Sequence, residues 1–171
     1  MTKLAFILDE VWLLSTLGAF QRAKIYLPNA TENDKKLFRA SLYKYIYENL
    51  IEFYEDGVSE REHLLNIISI SNYSTNFKNI LNNGKINFGV SQKLLNLYLK
   101  YLWCLEQIPT PPHFPIDRII QIKLGLKKIE SWTAFDNAAP YILIINKAKE
   151  ILQNSDYESL AQLELELFKR N

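Results

Sequence analysis

Cysteine is almost missing from this chain: Cys104 is the only one in 171 residues. That excludes an internal disulfide and any all-cysteine metal or iron–sulfur set, and it is what a reducing cytoplasm allows. Histidine is nearly as scarce, with only His63 and His113. A zinc site would therefore have to recruit carboxylates around His113, Asp117 and Cys104, so no metal is expected. Glycine occurs five times, and Asn83-Gly84 is the one Asn-Gly dipeptide, so hairpin signals are nearly absent, which argues against a β-rich fold. An excess of one charge is also lacking. Twenty basic against 19 acidic residues leave +1, giving no global field toward nucleic acid or anionic lipid, so binding of either needs a local patch. Long apolar runs are absent too. The opening MTKLAFILDEVWLL is broken by Asp9 and Glu10 and has no small-residue cleavage site after it, and Pro140 to Ile145 is too short for a bilayer. The expectation is a cytoplasmic protein with no membrane partner. No nucleophile elbow, phosphate loop or dinucleotide fingerprint occurs, and no cofactor is expected.

What the chain does have is apolar residues at helical spacing, with 48% hydrophobic and 13% aromatic content. The pattern predicts a single all-α domain over 1–171, of seven or eight helices. A first helix is expected from Leu4 to Tyr26, closed by Pro28. A second, capped by Thr31, runs to Tyr54 and is closed by Asp56-Gly57. Ser59 and Glu62 form a capping box for a third helix ending near Ser71, and a short fourth covers Thr75 to Leu81. The central helix is expected to start near Ser91. Helices over Ile116 to Leu124 and Pro140 to Leu152 follow, and a capping box at Ser155 and Glu158 opens the last.

Chemistry concentrates between Gly84 and Arg118, GKINFGVSQKLLNLYLKYLWCLEQIPTPPHFPIDR. Gly89 precedes a helix whose first turn carries Gln92 and Lys93, where unbonded backbone N–H groups and an ammonium can hold a phosphate. After the cluster Pro109, Pro111, Pro112 and Pro115, Asp117 stands at the next helix start, where the dipole favours its ionised form. On the bland side, Lys93 suits a solvated helix face, Asp117 a first-turn carboxylate, and Tyr98 and Tyr101 a core stripe.

The pattern G-V-x-x-K-x-x-N from Gly89, then P-x-D at Asp117 and Leu124-Gly125-Leu126, resembles the helix-hairpin-helix DNA glycosylases over about a fifth of the chain. The resemblance implies Gly89 and Val90 as a DNA-gripping hairpin, with Ser91, Gln92 and Arg118 beside it on double-stranded DNA. It further implies Lys93 as nucleophile at a sugar C1′ and Asp117 as the supporting carboxylate. A flipped base would stack on Tyr98 or Trp103. The sequence departs from the family pattern in three places: Ser91 replaces the second hairpin glycine, Arg118 and Ile119 stand where a histidine is usual, and the lysine-to-aspartate separation is long. The alternative expectation is a non-enzymatic helical module docking a protein partner through Tyr43, Tyr45, Tyr47 and Trp103.

Overall fold

A computed structural model describes residues 2–168, and its fold is all-α, with no strand among them. Eight α-helical segments follow in order: α1 (Lys3–Phe20), α2 (Glu32–Ile46), α3 (Glu52–Glu55), α4 (Glu60–Ser74), α5 (Phe88–Cys104), α6 (Arg118–Lys123), α7 (Ala139–Leu152) and α8 (Leu160–Leu167). No helix among the described residues is long and apolar enough to cross a membrane.

The axis of the molecule is α5. Every residue from Phe88 to Lys100 is buried, because α1 and α4 pack along two of its sides while α7 and the turn Trp132–Ala134 cover others. Helix α1 crosses it at Gly18, where an added Cβ would sit 2.6 Å from Leu97 Cδ1. The core around α5 contains Phe38, Leu42 and Ile46 of α2, Ile67 and Ile70 of α4, and Tyr141, Ile144 and Ile145 of α7.

Several helix ends follow from local chemistry. Thr31 and Ser59 cap α2 and α4, each in a reciprocal box with Asp34 or Glu62 three residues on. Asn87 caps α5 by accepting from Val90 N–H, so that helix begins at Phe88 instead of Ser91. Asp117 caps α6 by accepting from Ile120 N–H at 2.9 Å. Ser159, not Ser155, caps α8.

Other ends are set by tertiary contacts. Helix α1 stops at Phe20, six residues before the expected Tyr26. Lys24 turns to φ 46°, and the chain then runs extended beside residues 80–82. Leu27 N–H donates to Ile80 O at 2.9 Å, Asn82 N–H donates to Ile25 O at 2.7 Å, and Tyr26 forms an isolated bridge with Leu81. That pairing reduces the expected fourth helix to a single 3₁₀ turn, Thr75–Phe77. Between α2 and α3 the helix widens into a π turn, Tyr47–Ile51, which buries both Leu50 and Ile51.

Gly89 is the tightest position. Its N–H donates to Phe135 O at 2.9 Å, and a Cβ there would lie 1.8 Å from the carbonyl oxygen of Trp132. Glycine is required because backbone approaches backbone, and neither chain can yield without breaking that bond. Gly89→Ala is expected to cost roughly 3 kcal/mol, lowering the thermal midpoint by roughly 6–12 °C. An unchanged melting curve would show that the turn over Gly89 packs otherwise.

Candidate functional site

Burial of α5 forces its polar residues into pairs. Lys93 lies two helical turns above Lys100, and both ammonium groups face carboxylates brought from elsewhere. Lys93 Nζ donates to Asp117 Oδ2 at 2.7 Å across 24 residues of sequence. Lys100 Nζ donates to Glu164 Oε2 of α8, also at 2.7 Å, and lies 3.9 Å from the centre of the Phe168 ring. The geometry thus brings Lys93 and Asp117 into direct contact and not to opposite sides of an open gap, while Lys100–Glu164 had no counterpart in the sequence reading.

The Lys93–Asp117 pair sits in a groove of about 310 Å³ between α1, α5 and α6. Leu14 and Leu17 form one wall, Trp132 another, and Arg22 and Arg118 the rim. Arg22, Arg118 and Trp132 also line an adjoining chamber of about 360 Å³ that continues toward Glu130, Ser131 and Thr133. The lysine side chain is 7% exposed and the carboxylate 21%, so the opening shows mainly the aspartate. Both guanidinium groups project from exposed residues, and neither makes an ion pair among the described residues. From Arg118 to Lys128 the chain carries Arg118, Lys123, Lys127 and Lys128 and no carboxylate, a local basic run on a chain of nearly zero net charge.

Two opposing effects act on the pair. Burial lowers the Lys93 pKa, against the pull of Asp117 and Glu164. Burial would raise the Asp117 carboxyl, but the Lys93 ammonium and the backbone N–H groups of Ile119 and Ile120 outweigh it and hold the pKa below the ordinary value. At neutral pH the result is an ion pair whose lysine gives up its proton more readily than a solvated one.

The remaining sequence-derived candidates fall in other places. Gly89, Val90, Ser91 and Gln92 are in the first turns of α5 and buried. Their leading N–H groups are bonded already, Gly89 to Phe135 O, Val90 to Asn87 Oδ1 and Ser91 to Asn87 O, and so are not available to a phosphate. Tyr98 is fully buried, edge-on to Trp12 with ring centres 5.5 Å apart, and cannot stack on a base. Trp103 lines a separate depression with Glu106, Gln107 and Ile108. Tyr45 stacks on Tyr73 at 4.1 Å and Tyr43 on Tyr47 at 5.8 Å, so Tyr43 and Tyr45 of α2 are engaged in ring contacts within the fold while Tyr47, in the π turn, stays exposed. Trp132 faces the pair, with Lys93 Nζ 6.0 Å from its ring centre, and Tyr101 and Phe168 line the same groove.

His113 does not pair with Asp117. It belongs to a buried polar chain. Asn66 Nδ2 donates to the Tyr54 hydroxyl, which meets His63 Nδ1 at 2.8 Å. The two imidazoles then meet edge to face at 5.0 Å. Asn96 Nδ2 donates to the Tyr141 hydroxyl, which meets His113 Nδ1 at 3.0 Å. Each tyrosine hydroxyl thus accepts from an asparagine and shares one proton with the Nδ1 of its histidine. His113 Nε2 then points toward Glu60 Oε1, 3.8 Å away. Burial drives His63 well below its ordinary value, with His113 adding to the effect, and burial lowers His113 to about 4. No group of three or more His, Cys, Asp or Glu among the described residues is placed to hold a metal ion.

Comparison with known proteins finds no matching family model, no matching curated protein and no matching solved structure. The class defined by fold and site is therefore stated from geometry alone: an all-α protein with an ion pair on the floor of an arginine-rimmed groove.

Two outcomes follow. Asp117→Asn leaves the buried ammonium without its counter-charge, at a cost of roughly 3 kcal/mol, and lowers the Lys93 pKa further, as nitrogen NMR of isotopically labelled lysine would read. An unshifted Lys93 titration would show that the pair is not formed in solution. Separately, both histidines are neutral in the fold and titrate below their unfolded value of about 6.5. Stability is full above that pH and falls on acidification by roughly 1.4 kcal/mol per pH unit per histidine. For His113 the fall continues toward its folded value of about 4. Glu164, raised by burial, acts in the opposite sense on acidification. Urea titrations between pH 7 and 5 should show this slope, and His113→Gln should reduce it by about half. A flat stability profile would contradict the buried neutral pair.

Proposed function

We propose that the groove binds nucleic acid and that Lys93 and Asp117 act there on a nucleotide sugar, as the resemblance to helix-hairpin-helix glycosylases implies. The observation that carries this reading is the ion pair itself. A lysine and an aspartate 24 residues apart meet at 2.7 Å, in a groove whose rim bears two guanidinium groups with no ion pair among the described residues. An amine whose pKa is lowered by burial is a competent nucleophile, and a carboxylate at hydrogen-bond distance is positioned to receive its proton. In the proposed step Asp117 takes the proton from Lys93, and Nζ forms a bond to C1′. The base leaves with the electron pair of the glycosidic bond. The nitrogen lone pair then forms the C1′=N bond as the C1′–O4′ bond breaks, and O4′ takes the proton that Asp117 received. Backbone phosphates are held by Arg22 and Arg118, not by the buried Gly89–Gln92 turn. Trp132 supplies the apolar wall beside the sugar or base.

The test is borohydride trapping. Duplexes carrying uracil, oxidised bases or an abasic site are incubated with the protein, and borohydride reduces the imine to a stable secondary amine. The expected result is a covalent adduct on Lys93, lost in Lys93→Ala, together with binding that weakens steeply with salt and is reduced in the Arg22→Ala/Arg118→Ala pair. Absence of both adduct and salt-sensitive binding would remove this reading. A second reading, docking of a protein partner, is favoured by one observation. Phe6, Ile7, Leu13, Leu14 and Leu17 of α1 are all exposed, between 38% and 50%, which is a large apolar face for a monomer. Self-association or partner capture abolished by Leu13→Ser/Leu17→Ser, with no nucleic-acid binding, would favour it instead.

A further inference from the structure

Two buried glutamines, one on each of two helices that border the groove, make the same unusual contact. Gln92 of α5 donates from Nε2 to Ile116 O at 2.8 Å and accepts at Oε1 from Ile116 N–H at 3.1 Å. Gln121 of α6 donates from Nε2 to Glu130 O at 2.9 Å and accepts at Oε1 from Glu130 N–H at 2.8 Å. Each amide therefore closes a two-bond ring on one residue of irregular backbone, as a neighbouring strand would. Both glutamines are fully buried. The residue clamped by Gln92 directly precedes Asp117, and the residue clamped by Gln121 lies two before Trp132.

Irregular segments have no hydrogen-bond ladder of their own, so their position is set by such side-chain contacts. The segment from Pro109 to Pro115 has few N–H groups to offer, and the clamp at Ile116 is the last fixed point before the carboxylate. Asn96 Nδ2 donates to Gln92 Oε1 at 3.3 Å as well as to Tyr141, so the amide orientation is itself held from the far side. On the other wall, Gln121 Nε2 also donates to Asp117 O at 3.2 Å. That ties the two clamps through the backbone of the candidate site.

We infer that Gln92 and Gln121 are a matched pair of positioning residues: Gln92 sets the distance between Asp117 and Lys93, and Gln121 sets the Trp132 wall and hence what the groove accepts. The inference rests on the proposed function for its catalytic consequence, but its structural half can be read without any activity. Neither glutamine touches the reacting atoms, and each acts through the backbone it holds.

The two roles make different predictions. Gln92→Met keeps the volume and removes both bonds, so nitrogen NMR should show the Lys93 titration displaced, and adduct formation should slow by about tenfold or more at unchanged nucleic-acid affinity. Gln121→Met should weaken affinity for the same duplex and, because Gln121 also bonds Asp117 O, displace the Lys93 titration by clearly less than Gln92→Met does. Gln92→Glu adds a readout that mere loss of packing would not move. A protonated carboxyl can donate to Ile116 O and accept from Ile116 N–H as the amide does, whereas the carboxylate cannot donate. In that variant the Lys93 nitrogen shift and the adduct rate should follow the wild type while the new carboxyl is protonated, and depart from it in an extra limb as that carboxyl ionises. It also serves if Gln92→Met fails to fold. A Lys93 titration unaffected in folded Gln92 variants would overturn the inference. So would a Gln92→Glu profile with no new limb, or a Gln121→Met variant that shifts Lys93 as strongly as Gln92→Met. If no duplex gives an adduct even with wild-type protein, the proposed function fails while the NMR arm still decides the clamp.

Discussion

One constraint governs the rest of this structure: α5 is buried along 13 consecutive residues, Phe88 to Lys100. A helix in that position normally reads as apolar all round. This one carries Ser91, Gln92, Lys93, Asn96 and Lys100, and each must find a partner inside the protein because water is not there to serve. The consequence is a set of obligatory long-range contacts: Gln92 to Ile116, Lys93 to Asp117, Asn96 to Tyr141 and Lys100 to Glu164. These contacts link α5 to α6, α7, α8 and the proline-rich segment more specifically than apolar packing would. A buried ion pair adds little net stability over a well-packed apolar pair. What it adds is selectivity, since any alternative arrangement strands a charge.

The candidate site is a by-product of that constraint placed at an edge. Lys100 and Glu164 are sealed, with side chains 10% and 3% exposed, whereas Asp117 reaches 21%. The two pairs differ in access more than in chemistry. Next to the open pair the α1 surface ends in Arg22 and the α6 surface begins with Arg118, so an anion entering the groove meets positive charge before it meets the carboxylate. This sequence of charges is why the proposed occupant is a phosphate-bearing one.

The sequence revealed the parts that depend on local chemistry. The helical class, the caps at Thr31 and Ser59, and the placing of Asp117 at a helix start all follow from spacing and side-chain type, whereas Lys93, expected in a first turn, lies in the second turn of α5. It concealed what depends on contacts between distant segments. Nothing within Gln21–Tyr26 tells that the chain will pair with residues 80–82 and end α1 early. Nothing in the neighbourhood of Gly89 tells that a carbonyl from Trp132 will press on it, although a glycine inside an otherwise strong helix pattern was a signal of close approach. Gln92 and Gln121 carried a weaker signal of the same kind, as polar residues set among apolar ones on helix faces that must be buried. Trp132 was ambiguous in sequence for a physical reason, because an indole suits both a half-buried wall and a core.

Consider finally the eight-residue α8, whose apolar side is Leu160, Ala161 and Leu163. Leucine against leucine is tolerant of sliding, and a short helix held that way could settle one turn up or down with small loss. Glu164 removes this freedom. Its carboxylate has one ammonium to meet, and a shift of a single turn would leave Lys100 and Glu164 both buried and alone. The helix therefore docks in one register, like a key with a single cut, and Phe168 comes to rest over Lys100 and beside the groove as a consequence.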